Sequence, residues 1–374
     1  MTKGCLGVVK MRAAVIGLGR VGYEFCEDKK REQPASHVAC YNQLGVDALA
    51  VVDVDVNKLP PAMASINSVP SKRAYMNVAE MMLEFRPHIV SVCTPTSTHR
   101  DVVLEVVKHE SVKAILLEKP IAQSLKEADE IIDACGKKRI RLWVNYARRW
   151  DPVYVKWFGD RASEPSGEIK AIIGHHHGPL LRTGTHMLDL FNWITKDSPI
   201  SVQAFGTPRE NYVTGYDVIG NLDYNISGCV SYASRDNDVE AVLYSGESKS
   251  YLLFEVDIFF EKGRLRITDN GGTTEVFRSW PSDRYTGLEE LVEELGLMST
   301  SFNHALDGIP YKNPLLNAIN QTLHLGQGFA HHGCSGLEAR ETLHVALALH
   351  YSAMNNNMRV RLQDVPRDYA VRSQ

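Results

Sequence analysis

The apolar run Arg12-Ala-Ala-Val-Ile16 ends directly on Gly17-Leu-Gly19-Arg20-Val21-Gly22, and this junction constrains the fold more than any other stretch of the chain. Such a run reads as a buried parallel strand. Glycines at its end allow a tight turn and let the backbone approach a pyrophosphate at a helix N-terminus. Alone, G-x-G-x-x-G is weak evidence, and a glycine-rich turn without a ligand is the alternative. After a strand and before a helical stretch, it fits a dinucleotide fingerprint.

That fingerprint also asks for an acid ~20 residues on, at the end of the second strand. Ala48-Leu-Ala-Val-Val52 is the second apolar run, and Asp53 closes it 31 residues after Gly22. The polar segment Cys26 to Ser36 accounts for the excess as an insertion in the first crossover. A carboxylate at 53 accepts hydrogen bonds from ribose hydroxyls and repels a 2′-phosphate, which favours NAD over NADP. Asp55 is the rival acid, placed past the strand end.

Three more apolar runs follow: His88 to Val92, ending at Cys93-Thr94-Pro95; Lys113 to Leu117, ending at Glu118-Lys119-Pro120; and Ile140 to Val144, ending at Asn145-Tyr146. Helical segments lie between them, one opened by a capping box of Ser124 and Glu127. Strands alternating with helices predict a parallel α/β sheet, whose ligands bind at the carboxyl strand ends. Past about residue 165 the strands come closer together: 168–177, 213–224, 226–234, 239–245, 251–260 and 264–268. They leave no room for crossover helices, so this second sheet is predicted to be mainly antiparallel. Helices return at 315–326 and 336–355. The fold class is α/β, with an N-terminal Rossmann dinucleotide-binding domain over 1–145 and a C-terminal α+β domain over 146–374.

Composition narrows the partners. Lys plus Arg number 41 against 45 Asp plus Glu, a net charge of −4, which disfavours a dedicated nucleic-acid binder. No run approaches the ~18 apolar residues that span a bilayer, and the start has no signal-peptide pattern. The seven cysteines never form C-x-x-C, so neither a disulfide framework nor a thiolate metal site is expected, and reduced cytoplasmic thiols are.

Gly17-x-Gly19-Arg20-x-Gly22, Cys93-Thr-Pro-Thr-Ser-Thr-His99, Glu118-Lys119-Pro120, Tyr146-x-Arg148-Arg149 and Gly184-Thr-His186-x-x-Asp189 occur in this order. Together they resemble the glucose-fructose oxidoreductase / inositol dehydrogenase / rhizopine catabolism (Gfo/Idh/MocA) family. The resemblance implies a C-terminal domain built on a large open antiparallel sheet that makes a homodimer or homotetramer. It also implies NAD(P)-dependent hydride transfer at a secondary alcohol of a sugar, polyol or nucleotide sugar.

The roles it implies are residue-specific. Lys119 contacts the nicotinamide ribose and the reacting hydroxyl, and its bond to Pro120 is expected to be cis. His186 is the acid/base, since imidazole titrates near neutral pH. Asp189, three residues on, shares a helix face with it and orients the ring or binds substrate. Gly17, Gly19, Arg20, Val21, Gly22, Asp53, Thr94, Pro95, Thr96, His99 and Glu118 lie along the cofactor. Tyr146 and Arg148 border substrate, while Arg149 is structural.

One position departs from the family: Arg182 stands where many members carry an aspartate four residues before the histidine. It cannot act as that carboxylate, so either the Lys119 and His186 pair suffices or Arg182 binds an anionic substrate group such as a carboxylate or phosphate. His175-His176-His177 invites a metal, but on a strand only the outer two share a face, and two ligands are too few. His177 is read instead as facing substrate. A non-catalytic dinucleotide-binding regulator on this fold and an NAD-dependent glycosidase remain open.

Overall fold

The computed structural model describes residues 11–159, 167–205, 221–233, 238–246, 252–294, 310–325 and 333–372. These fall into two compact units, one drawn from 1–119, 129–147 and 307–336, the other from 120–128, 148–306 and 337–374. One crossing between the units falls between Ala147 and Arg148. Two further exchanges of chain replace the single cut that the sequence suggests.

In chain order the elements begin β1 (Arg12–Ile16), α1 (His37–Leu44), β2 (Ala48–Val52), α2 (Leu59–Ser65), β3 (Ser71–Tyr75) and α3 (Val78–Glu84). β4 (Ile89–Val92), α4 (His99–Val106), β5 (Ala114–Leu117), α5 (Leu125–Lys137) and β6 (Arg141–Val144) follow. Next come α6 (Pro152–Phe158), β7 (Ile169–His177), α7 (Thr185–Thr195), β8 (Pro199–Phe205), β9 (Asn221–Leu222) and β10 (Ser227–Tyr232). β11 (Val239–Gly246), β12 (Phe254–Phe260), β13 (Gly263–Thr268), β14 (Thr273–Pro281) and β15 (Glu289–Glu293) continue the second sheet. The chain closes with α8 (Pro314–Leu323), β16 (Cys334–Ser335), α9 (Gly336–Met354), β17 (Val360–Arg361) and β18 (Val371–Arg372).

In the first unit the strands run β16-β6-β5-β4-β1-β2-β3, parallel except for β16. β3-β2-β1-β4-β5-β6 is the Rossmann order, with its switch point between β1 and β4. β2, β4 and β5 are buried along their whole length, as strands covered on both faces must be. β3 sits at the sheet edge with four of its five residues exposed, so it carries no apolar run to announce it. The capping box forms at α5: the Ser124 hydroxyl accepts from the Glu127 amide, and the Glu127 carboxylate accepts from the Gln123 amide.

In the second unit β15-β14-β13-β12-β7-β11-β10-β8-β17 form a nine-stranded sheet, antiparallel except where β7 meets β11. On β7, Ile172, Gly174 and His176 are buried while the alternate residues are half-exposed. The buried face lies against α7. A Cβ on Gly174 would come within 2.6 Å of the Met187 sulfur, so the helix rests on the strand backbone itself. Most of the strand expected over 213–224 lies outside the described residues, as does the start of the one expected over 251–260. No helix among the described residues is long and apolar enough to cross a membrane.

Candidate active site

The carboxyl edge of the first sheet gathers most of the residues the sequence singles out. Gly17 takes φ +92°, and a Cβ there would meet the Cys93–Thr94 peptide at 2.8 Å, so the β1 and β4 loops touch through backbone alone. A Cβ on Gly22 would stand 2.0 Å from the Gly17 carbonyl oxygen, and the turn can close only with glycine there. Gly19 has nothing within 4 Å of such a position, which leaves open space beside the loop backbone. Asp53 accepts a hydrogen bond from the Leu18 amide at 2.7 Å, joining the end of β2 to the glycine loop. Asp55 caps the next turn by accepting from the Asn57 amide and is exposed.

Two buried polar atoms on this edge, Thr94 Oγ1 and Asn145 Oδ1, have no hydrogen-bond partner among the described residues. Buried polar groups are normally satisfied, so orphans at strand ends mark where a polar ligand belongs. With the open space at Gly19 and the carboxylate of Asp53, they fit a bound dinucleotide. Glu118 and Lys119 close β5 on the same edge, both partly exposed. Burial would push the Glu118 carboxyl up, but hydrogen bonds from His37 and Asn145 and the Lys119 charge hold it below its ordinary range.

Other expected contacts are placed differently. His99 is buried, with Nε2 2.9 Å from the Thr94 carbonyl, so it shapes the β4 loop rather than facing a ligand. Thr96 is buried, while Arg20 and Pro95 are exposed and Val21 half-buried. Tyr146 is 1% exposed and packs in the core. The Lys119–Pro120 bond is not cis; among the described residues the cis bond is Gln33–Pro34.

In the second unit His186 is the second residue of α7 and is partly exposed. A π-helical turn, Leu180–Gly184, delivers the chain into that helix. The Asp223 carboxylate fixes this turn, accepting from the Leu181 and Arg182 amides at 2.8 Å each. The Leu180 amide donates to the Tyr224 carbonyl at 2.7 Å. Arg182 itself is exposed. Asp223 is a supporting residue with no sequence signature.

Asp189 is 1% exposed, and its two oxygens accept from Nε and Nη2 of Arg149 at 3.0 Å each. Arg149 Nη1 also donates to Glu338 at 2.8 Å. This fork-to-fork pair braces α7 one turn beyond His186 and occupies both oxygens of Asp189. Arg149 is structural, as expected. Arg148 stacks over the Phe254 ring at 3.6 Å and donates to the Asn270 side chain.

The histidine run is sided the other way from the sequence reading. His176, not His177, shares the α7 face, while His177 Nδ1 lies 3.2 Å from the Leu253 backbone and His175 meets Tyr244 edge to face. Burial of His176 pushes its pKa down from an ordinary 6.5 to about 4. The unfolded chain therefore takes the proton first, and stability falls as pH drops from about 6.5 to about 4, by up to about 3 kcal/mol. A His176→Gln variant should show a flatter dependence of denaturation midpoint on pH over that window. Among the described residues no cluster of three or more His, Cys, Asp or Glu could hold a metal ion.

A glycine loop, an aspartate at the end of β2 and a lysine at the end of β5 lie on one edge of a Rossmann sheet. Residues 11–146 match the family described as "Oxidoreductase family, NAD-binding Rossmann fold". The Gfo/Idh/MocA family model thus matches the part of the chain that carries the first parallel sheet. It is 27% identical over 299 residues to an inositol 2-dehydrogenase of Pseudarthrobacter chlorophenolicus, covering 75% of this chain and 80% of that protein. The fold matches UDP-N-acetylglucosamine 3-dehydrogenase GnnA from Acidithiobacillus ferrooxidans, with TM-score 0.67, 18% identity and coverage of 93% and 99%. It also matches the WlbA dehydrogenase from Chromobacterium violaceum in complex with NADH and UDP-GlcNAcA, with TM-score 0.65, 18% identity and coverage of 96% and 97%.

Proposed function

We propose that the protein is an NAD-dependent dehydrogenase or reductase acting at a secondary alcohol or ketone of a polyol, sugar or nucleotide sugar. The observation that carries this reading is Lys119, held at the end of β5 on the same sheet edge as the glycine loop and Asp53. Bound NAD would supply the hydride acceptor. The loop over Gly17 to Gly22 would hold its pyrophosphate, Asp53 its ribose hydroxyls, and Thr94 a neighbouring polar contact. The Lys119 ammonium polarises the reacting oxygen, and His186 takes or returns the hydroxyl proton. The carboxylate of Asp53 is also the reason to favour NAD over NADP.

Arg182 supplies recognition of an anionic substituent. Its backbone is pinned by Asp223, which leaves the guanidinium on an ordered turn. Arg182→Ala should raise KM about 10- to 100-fold for a uronate or nucleotide sugar and leave KM for a neutral polyol unchanged. The half-exposed face of the nine-stranded sheet, with Ile173, Val242 and Phe259, is the surface proposed for homodimer or homotetramer contact. Incubation with NAD and a panel of polyols, sugars and nucleotide sugars, read at 340 nm, tests the activity. Net NADH supports it. Sugar cleavage without net NADH means a glycosidase, and tight NAD binding without turnover means a regulator.

A further inference from the structure

We propose that His37 is a positioning residue for Lys119, acting through Glu118; this rests on the dehydrogenase reading above. The His37 amide donates to the Val21 carbonyl at 2.9 Å and the Val38 amide to the Gly22 carbonyl at 3.1 Å. In an uninterrupted helix Val21 would bond to residue 25, four positions on. Here the donor is residue 37, so twelve residues loop out and the helix resumes in register. The insertion inferred from the sequence is thus an excursion within the first helical turn.

That splice sets His37 at the start of α1, against the dinucleotide loop and fully buried. Its Nε2 lies 3.0 Å from Glu118 Oε1, and the same oxygen accepts from Asn145 Nδ2 at 2.7 Å. His37 Nδ1 has no partner among the described residues. A proton on Nε2 therefore satisfies the carboxylate and leaves only an acceptor orphaned, which is the less costly arrangement. One carboxylate oxygen ties the first turn of α1, the end of β5 and the end of β6 together. Lys119 is the next residue along β5. The tie gives its backbone one position relative to the loop that holds the dinucleotide, and misplacement of a reacting group by about 1 Å costs roughly 100-fold in rate.

The test uses the full chain in four forms: wild type, His37→Leu, His37→Gln and Glu118→Met. His37→Leu should lower kcat about 10- to 100-fold, with KM for the sugar or polyol and NADH affinity by fluorescence titration both unchanged. His37→Gln, which keeps a donor, should recover most of the loss. The double variant His37→Leu/Glu118→Met should be no slower than the worse single one, because the two act as one unit. A lower denaturation midpoint with unchanged kcat, or equal losses of kcat and NADH affinity, overturns the proposal. If His37→Leu does not fold, Glu118→Met, which removes the shared acceptor, must show the same kcat-selective loss, and its absence counts against the proposal. Acylation of Lys119 by an N-hydroxysuccinimide ester, followed by peptide mass spectrometry, needs no substrate. Its rate should change several-fold in His37→Leu and return in His37→Gln. An unchanged rate rejects the positioning role even if the protein proves not to be a dehydrogenase.

Discussion

Lys119→Met should lower kcat by about 10²- to 10⁴-fold while NADH still binds, as measured by steady-state turnover beside fluorescence titration. Methionine keeps the length and apolar stem of lysine but removes the ammonium. The β5 end should survive the change, because Glu118 is held by His37 and Asn145 and not by the lysine alone. His186→Gln should lose a comparable factor, since an amide cannot exchange the hydroxyl proton. Retention of kcat within a few-fold in either variant would remove that residue from the chemistry.

The second large effect is on stability. Asp189→Asn should destabilise the second unit by about 3–5 kcal/mol, read as a shift of the denaturant midpoint at unchanged slope. Arg149 is nearly fully buried, and Asp189 is the partner that receives two of its donors. Glu338, which takes a third, is part-exposed and compensates weakly. Replacing both members with apolar residues, Arg149→Met with Asp189→Leu, should recover much of the loss, because no buried charge is then left unpaired. A loss as small as that of a surface pair in Asp189→Asn would show that the pair does not brace α7.

The parts of this protein legible in its sequence are those whose residues have one physical use. β2, β4 and β5 are buried on both faces and must be continuous apolar runs, so they can be read directly. The glycine loop is legible because Gly17 and Gly22 face backbone closer than any Cβ allows. β3 was not, because Ser71 to Ala74 face solvent at a sheet edge, where polar residues satisfy the chain equally well. Nor was the side of β7 that meets α7: alternation tells which histidines share a face but not which face the helix covers. Tyr146 and His99 have polar atoms and motif positions that suggest ligand contact, yet packing claims both. His37 and Asp223 act through partners distant in sequence, Glu118 at 81 residues and the Leu181 and Arg182 amides at about 40. No local pattern encodes such pairs.

The most direct test of the central claim follows a labelled hydrogen. A polyol or sugar that supports turnover is supplied with deuterium on its carbinol carbon, and the nicotinamide product is analysed by mass spectrometry. Deuterium is expected on the reduced nicotinamide in wild type, and none above background in Lys119→Met or His186→Gln over the same time. Unlabelled NADH, or substrate consumed with no label ever reaching the nicotinamide, would contradict it.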